Sequence, residues 1–464
     1  MTATDSLATR SVQDVFAATH DERIAAFKEF VRIPSVSMAP EHADDCRAAA
    51  TWLTRRMMQA GLENVEICQT GGLPVVYGDW LHAPGAPTVL VYGHYDVQPV
   101  APIDAWDGDP FDAHISEGRI TGRGTADDKG QVLIHLDAVS TLLTARGELP
   151  VNVRFIVEGE EECDDEHFED WLLANADRVD ADVVFVSDTG FFEGDIPAIT
   201  VGLRGLVSLQ IDVHGSAVQL HSGSHGGVAE NPALALATIL AGLVDESGRI
   251  AVDGFYDDVV ELSDQQKSAL ADLPFDETAY LDQLGVSASV GETGRTLLER
   301  RGTRPTLDVN GIWGGFTGDG LMTIVPSSAH AKLSCRIVVA QRPERIVAAL
   351  RAHVVAHTPT GVSVEITELG GGLPVVVPTD SWFVDAASRA IDEAFAQRPV
   401  FVWEGGSIPA CEAMSRILDI PVLILGFTPP NCNTHAPNEW MSLDHYERGV
   451  MTVIGFLDRA GARG

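Results

Sequence analysis

Residues 87–96 read PTVLVYGHYD: a short β-branched and aromatic run, a glycine, then an imidazole and a carboxylate two positions apart. Pro87 to Tyr92 has the continuous apolar character of a strand covered on both faces. The pattern returns twice. Val151 to Val157 (VNVRFIV) is followed by Glu161 and Glu162, and Asp182 to Val186 (DVVFV) by Asp188. Asp127 to Ala145, between the first two runs, has the character of a helix. Strand, helix and strand in succession imply an α/β fold, a mixed sheet flanked by helices. Open α/β sheets place their ligand crevice at the C-terminal ends of the strands. His94, Asp96, Glu161, Glu162 and Asp188 all follow strand ends, so the fold can bring them together.

The pattern extends outward on both sides. Asp21 to Val31 carries apolar residues at helical spacing and stops before Pro34; Asp44 to Ala60 is a second amphipathic helix, ended by Gly61. From about Gly205 the texture changes. Val207 to Val213 alternates like a half-exposed strand, and Pro232 to Val244 reads as a helix. Residues 253–305 are acidic and irregular, without a clear period. Ala329 to Val338 and Val362 to Ile366 read as strands, Ser381 to Ala396 as a helix, Pro421 to Leu425 as a strand and Asp444 to Ala460 as a closing helix. With 464 residues the chain exceeds what one core holds. The expected division is a discontinuous catalytic domain, 1–205 and 373–464, with a domain of residues 206–372 inserted into it.

Composition removes several function classes. Asp plus Glu total 67 against 31 Lys plus Arg, a formal charge of −36. Such a chain repels nucleic acid and anionic membranes, and neither is expected as a partner. No apolar run approaches the roughly 18 residues that would suggest a membrane span. Met1 to Gln13 is polar and has no signal-peptide core. The six cysteines are scattered, without a CxxC pair, which is the usage of a reducing compartment. The expected location is the cytoplasm.

The chemistry lies in a few compact segments: Gly93-His94-Tyr95-Asp96, the GRGTADDKG stretch around Asp127, the EGEEE run of residues 158–162, Ser187-Asp188, and, far downstream, Asn433 to Pro437 around His435. Imidazole and carboxylate together suit Zn²⁺, with Mn²⁺ or Co²⁺ as alternatives. Two histidines and three carboxylates suffice for two ions if one carboxylate bridges. Asp96, two residues beyond His94, can accept the second ring N–H of that histidine and fix its tautomer. Within the acidic run one glutamate can be a ligand while its neighbour serves as general base, because adjacent residues at a strand end point different ways. Singly, each feature has a plainer reading. GRGTADDKG could be a polar turn opening a helix with Asp127 as its cap. It is not a phosphate-binding loop, because it lacks the Lys-Ser/Thr pair. The five segments together are what point to metal chemistry.

These segments resemble the family of co-catalytic zinc hydrolases that includes carnosinase, cytosolic nonspecific dipeptidase, acetylornithine deacetylase and carboxypeptidase G. The resemblance is greatest to the dipeptidase branch. GHYDVQP, GRGTADDKG, EGEEE, QLHSGSHGG, RPTLDVNGIWGGFTGDG and EGGSIP occur in the family's order and span nearly the whole chain. The resemblance implies a dipeptidase with two Zn²⁺ per chain, or an amidohydrolase that removes acyl groups from amino acids with the same metal kit. It implies that Asp127 bridges the ions, that His94 and Asp188 complete one site, and that Glu162 and His435 complete the other. It makes Glu161 the general base and Asp96 the group that orients His94, and it implies a cis Asp127–Asp128 peptide. It assigns Arg336 and Ser407 to the substrate carboxylate and Asn310 to a substrate contact. It expects a homodimer through the inserted domain, in which His221 reaches the partner's scissile carbonyl. One position departs: Met322 stands where many dipeptidase relatives carry lysine, which bears on substrate detail and not on the metals.

Overall fold

The computed structural model describes residues 11–163 and 167–463, so most of the Met1–Gln13 stretch considered above for a leader lies outside them. In chain order the principal strands of the two main sheets are β1 (Glu63–Cys68), β2 (Val75–Trp80), β3 (Thr88–His94), β4 (Asn152–Glu158), β5 (Val183–Val186), β6 (Ala198–Leu203), β7 (Gly205–His214), β8 (Thr306–Gly314), β9 (Ser328–Ile337), β10 (Ser363–Gly372) and β11 (Val422–Ile424); two short strands, Val375–Val376 and Val400–Glu404, also join the larger sheet. The chain forms two compact units. One runs to Val201 and resumes over Val377–Val402 and from Pro409 onward. The other is Gly202–Val376 with Trp403–Ile408.

The first unit is built on a sheet containing the run β1-β2-β4-β3-β5-β11-β6. It is mixed and helix-covered, as the βαβ rhythm implies. β4, β3, β5 and β11 are parallel neighbours, while β2 pairs antiparallel with β4, and β11 with β6. The parallel centre is buried throughout: β5 is exposed at none of its residues and β3 only slightly at Thr88. That two-sided burial explains the unbroken apolar runs. Helix Lys129–Arg146 packs on β3 and against the closing helix Leu443–Gly461. Helix Ala43–Ala60 ends at Gly61 in the left-handed conformation, φ 95°, the capping role read from the sequence. No helix among the described residues is long and apolar enough to cross a membrane.

The second unit carries an antiparallel sheet in the order β8-β9-β7-β10. β7 alternates buried and half-buried residues, and its inward set (Val207, Leu209, Ile211, Val213) packs on helices Pro232–Ala241 and Pro343–His357 through Leu236, Ile239, Ile346 and Leu350. β8 is an exposed edge strand whose register with β9 shifts between Val309 and Gly311, a bulge centred on Asn310. Within the stretch expected to be irregular, 253–305, lie two short helices, Asp264–Ala271 and Glu277–Leu284. Caps make them, not an apolar face. Ser263 and Gln266 form a capping box, Asp276 caps the second, and only Leu270 is buried.

Segment 403–408 lies inside the span assigned above to the catalytic domain, yet it packs with the second unit. Local hydrogen bonds account for this. Arg204 Nε donates to the Gly405 carbonyl at 2.9 Å, Ser407 Oγ donates to the Arg204 carbonyl at 2.6 Å, and Arg336 Nη1 donates to Ser407 Oγ at 2.8 Å.

Candidate metal centre

His94 is the last residue of β3 and is fully buried. Gly93 before it makes room for the opposing turn: a Cβ there would lie 2.6 Å from Asp128 Oδ2, which accepts the His94 main-chain N–H. Asp127 stands in the turn that opens helix Lys129–Arg146, and the Asp127–Asp128 peptide is cis. Glu161 and Glu162 form a single turn after β4, Asp188 lies two residues beyond β5, and His435 sits in the loop between β11 and the closing helix. All but His435 are carried by ends of adjacent strands or by the turn facing them.

Asp127 is the hub. Its Oδ1 is 3.0 Å from His94 Nε2 and its Oδ2 is 2.8 Å from His435 Nε2. Asp188 Oδ2 approaches His94 Nε2 to 4.0 Å, and Glu162 Oε2 approaches His435 Nε2 to 3.4 Å. Two overlapping triads result, His94-Asp127-Asp188 and Asp127-Glu162-His435, each with its ligand atoms within 4.8 Å of one another. Nitrogen and carboxylate oxygen are the donors a borderline divalent ion takes. A further observation fits a cation: Glu162 Oε1 is buried with no hydrogen-bond partner, a costly state for an acceptor unless a positive charge faces it.

The electrostatics have the same character. Burial opposes charge on His94, but its hydrogen bonds with Asp127 and Asp96 raise its pKa well above the ordinary imidazole value. Hydrogen bonds to Asp127 and Glu162 push His435 up to about 10. Burial favours the neutral form of Asp127, yet His435 and His94 hold it below the usual carboxylate range. Asp188, buried beside Asp127, is pushed up to about 7. Burial, with Asp188, Asp127 and Glu162 close by, raises Glu161 well above the usual range. The raised imidazole pKa values and the lowered Asp127 pKa reflect the same close pairing of opposite charges. Only neutral histidine is a metal ligand, so metal binding at such a cluster is pH-dependent.

The supporting groups are less visible in the sequence. His94 Nδ1 lies 3.1 Å from the Asp96 carbonyl and 3.3 Å from its Oδ1, while Asp96 Oδ2 accepts the Glu162 N–H at 3.1 Å. Asp96 thus contacts both ligand sets. Gln98 donates to Glu162 Oε2 at 2.7 Å; it lies within GHYDVQP, a segment read above only for His94 and Asp96.

The other expected residues belong to the second unit, where Arg336 and Ser407 are hydrogen-bonded to each other. His221 is exposed and caps helix Ser222–His225, its Nδ1 accepting the Gly223 N–H at 3.0 Å. That bond leaves Nε2 as the N–H donor. Arg336 has Ser407 as its hydrogen-bond partner and, among the described residues, no carboxylate in ion-pair range. Ser407 donates to the Arg204 carbonyl and accepts from Arg336. Asn310 is exposed at the β8 bulge.

Carboxylates and imidazoles gathered at the C-terminal ends of parallel strands are the donor set that metal-dependent hydrolases use. The chain belongs to peptidase family M20/M25/M40, whose sequence profile matches residues 90–459. It is 29% identical over 459 residues to the Cys-Gly metallodipeptidase dug1 of Schizosaccharomyces pombe, covering 96% of each chain. It is 30% identical over 458 residues to the human Beta-Ala-His dipeptidase, covering 94% of this chain and 90% of that one. Among solved structures, an M20 family metallo-carboxypeptidase, Sso-CP2 from Sulfolobus solfataricus, superposes with a TM-score of 0.86 at 32% identity, over 95% of this chain and all of that one. The protein is a metallopeptidase.

Proposed function

We propose that this chain is a dinuclear zinc dipeptidase that cleaves the amide bond of dipeptides bearing a free C-terminal carboxylate. The observation that carries the reading is the division of the Asp127 carboxylate between two ligand triads. Relatives named for Cys-Gly and β-Ala-His cleavage support a small peptide substrate. His94, Asp127 and Asp188 would hold one ion, and Asp127, Glu162 and His435 the other. When bound, such a pair supplies Lewis acidity and lowers the pKa of an attacking water toward neutrality.

The remaining work belongs to side chains. Glu161, whose buried setting favours taking up a proton, accepts it from the attacking water and delivers it to the leaving amine. Asp96 holds the His94 ring. His221 offers its Nε2–H to the carbonyl oxygen as negative charge develops. Arg336, lacking an anionic partner among the described residues, takes the substrate carboxylate. Asn310 contacts the substrate from the β8 bulge. His221 acts in trans, in a homodimer built through the second unit; exposed Ile312 and Trp313 on β8 give that unit an apolar edge to cover. The proposed setting is the cytoplasm, which suits the free thiols Cys46, Cys68, Cys335, Cys411 and Cys432.

Metal analysis coupled to a substrate panel tests the reading. Purified protein should carry about two ions per chain, chelation should abolish hydrolysis, and Zn²⁺, Mn²⁺ or Co²⁺ should restore it. Dipeptides should be turned over in preference to N-acyl amino acids. Amidating the C-terminus should lower kcat/KM by roughly 10- to 100-fold, the value of one charge-assisted contact. Full activity in metal-free protein defeats the metal reading, and equal kcat/KM for free and amidated dipeptides defeats the Arg336 clamp.

A further inference from the structure

Four residues beyond His435, Glu439 lies in the interior with no exposed surface, and it has no place in the mechanism above. All its hydrogen-bond partners lie in one short stretch, Gly122 to Asp127. Its carbonyl accepts the Gly122 N–H at 2.8 Å. Its Oε1 accepts the N–H groups of Ala126 at 2.8 Å and Asp127 at 3.1 Å. The Gly124 N–H is shared between Oε1 and Oε2 at 3.1 and 3.0 Å. Arg123 Nη1 closes the set at 2.6 Å on Oε2, and Arg123 is itself 1% exposed. One carboxylate therefore gathers three backbone donors and a guanidinium from the turn that ends in Asp127. The backbone conformation of that turn is specialised as well: Gly124 sits at φ 87°, where a Cβ would lie 2.6 Å from Val97.

From this geometry we infer that Glu439 is a positioning residue for the metal centre, which locks the turn carrying Asp127 to the chain segment carrying His435. The inference rests on the metal reading above. Asp127 and His435 are far apart in sequence, yet their side chains meet at 2.8 Å. The strand pairing of Trp440–Ser442 with Arg119–Thr121 brings the two segments side by side, but between it and His435 the chain is irregular, with Asn433, His435 and Asn438 all at positive φ. The Glu439 carboxylate carries that pairing on to the metal ligands, because it belongs to the His435 segment and bonds the Asp127 main chain directly. Arg123 balances the buried charge, so the clamp does not itself draw a cation away from the site. Since Asp127 belongs to both triads, a displaced Asp127 weakens both ions together, whereas loss of an ordinary ligand weakens mainly its own.

The test is a chelator-competition titration with Zn²⁺ and Mn²⁺ on wild-type protein and on Glu439→Gln, Glu439→Asp and Asp137→Asn. Gln places an N–H₂ against donors that need an acceptor. Asp keeps the charge opposite Arg123 but is one methylene too short to reach the same three N–H groups. Asp137 belongs to a separate buried network with Arg56 and Tyr446. It controls for general destabilisation, so Asp137→Asn should lower the melting temperature with metal affinity unchanged. Both Glu439 variants should bind both ions about 10- to 100-fold more weakly, the usual cost of losing a group that orients a ligand. Affinity within twofold of wild type in a folded Glu439 variant overturns the assignment, as does an equal loss in Asp137→Asn. Failure of both Glu439 variants to fold would make the residue part of the fold's foundation and overturn it too. Wild-type protein that takes up no ion would defeat the metal reading first, and that outcome is visible without any variant.

Discussion

Within residues 158–162 four carboxylates have four environments. Glu158 is buried, accepts the Tyr92 hydroxyl at 2.6 Å and is pushed up to about 8 by burial. Glu160 lies 3.1 Å from His167 Nδ1. Glu162 faces His435, and Glu161 lies among acids without a ligand's geometry. On the proposed roles, Glu161→Gln should keep both ions and lose roughly 10²- to 10⁴-fold in kcat, because only the proposed proton carrier is gone. Glu162→Gln should weaken one ion. Metal analysis of the two variants side by side checks this, and the reverse pattern would shift the assignment by one residue. By composition and spacing Glu160, Glu161 and Glu162 are equivalent acids, and only the family resemblance singles out the last two. The turn Glu161–Cys163 separates them, and a one-turn helix carries no periodicity to read. His94, Asp127 and Asp188 are easier to find, because each follows or faces a strand end with a strong apolar signature. Glu439 gives no such signal: a lone acid beside a tryptophan reads as surface.

At the scale of elements, helix Lys129–Arg146 is buried on nearly every side, and His135 within it is 1% exposed. Its Nε2 lies 2.7 Å from Ser187 Oγ at the end of β5, and its ring meets Phe185 edge-on. Burial lowers its pKa from 6.5 to about 3. Between those values the unfolded chain binds the proton and the folded chain does not. Stability is therefore fully present above pH 6.5 and falls toward pH 3. The slope from this one group is about 1.4 kcal/mol per pH unit. Urea unfolding of wild type and His135→Gln at several pH values across that window should show the variant losing less; parallel curves would refute the assignment. The same packing explains what the sequence displays. Helices and strands that bury whole faces, such as β3 to β5, stand out as apolar runs. β8 does not, because its TLDVNGIWG carries glycine, aspartate and asparagine on an exposed edge. The helices of 264–284 escape for a similar reason, since one buried leucine makes no period.

At the scale of the whole molecule, the proposed donor His221 and clamp Arg336 belong to one unit and the ligand cluster to the other. Mixing two inactive proteins tests whether a partner subunit completes the site. His221→Ala supplies an intact Glu161, and Glu161→Gln supplies an intact histidine. If His221 acts in trans, subunit exchange should restore about one working site per heterodimer. Heterodimers that stay inactive would confine His221 to its own chain and leave the metal chemistry untouched. The order of the sheet has a separate consequence, for biosynthesis. β11 pairs with β5 and meets β6, yet it is made after the entire second unit, and His435 is made later still. At about 5–20 residues per second, a growing chain carries Asp188 for roughly 10–50 s before His435 is made. During that interval β5 presents an unpaired edge, and the acids of the cluster lack their second imidazole. A chain held in this interval keeps an open sheet edge, so slow translation through the second unit should favour aggregation more than slow translation at its start.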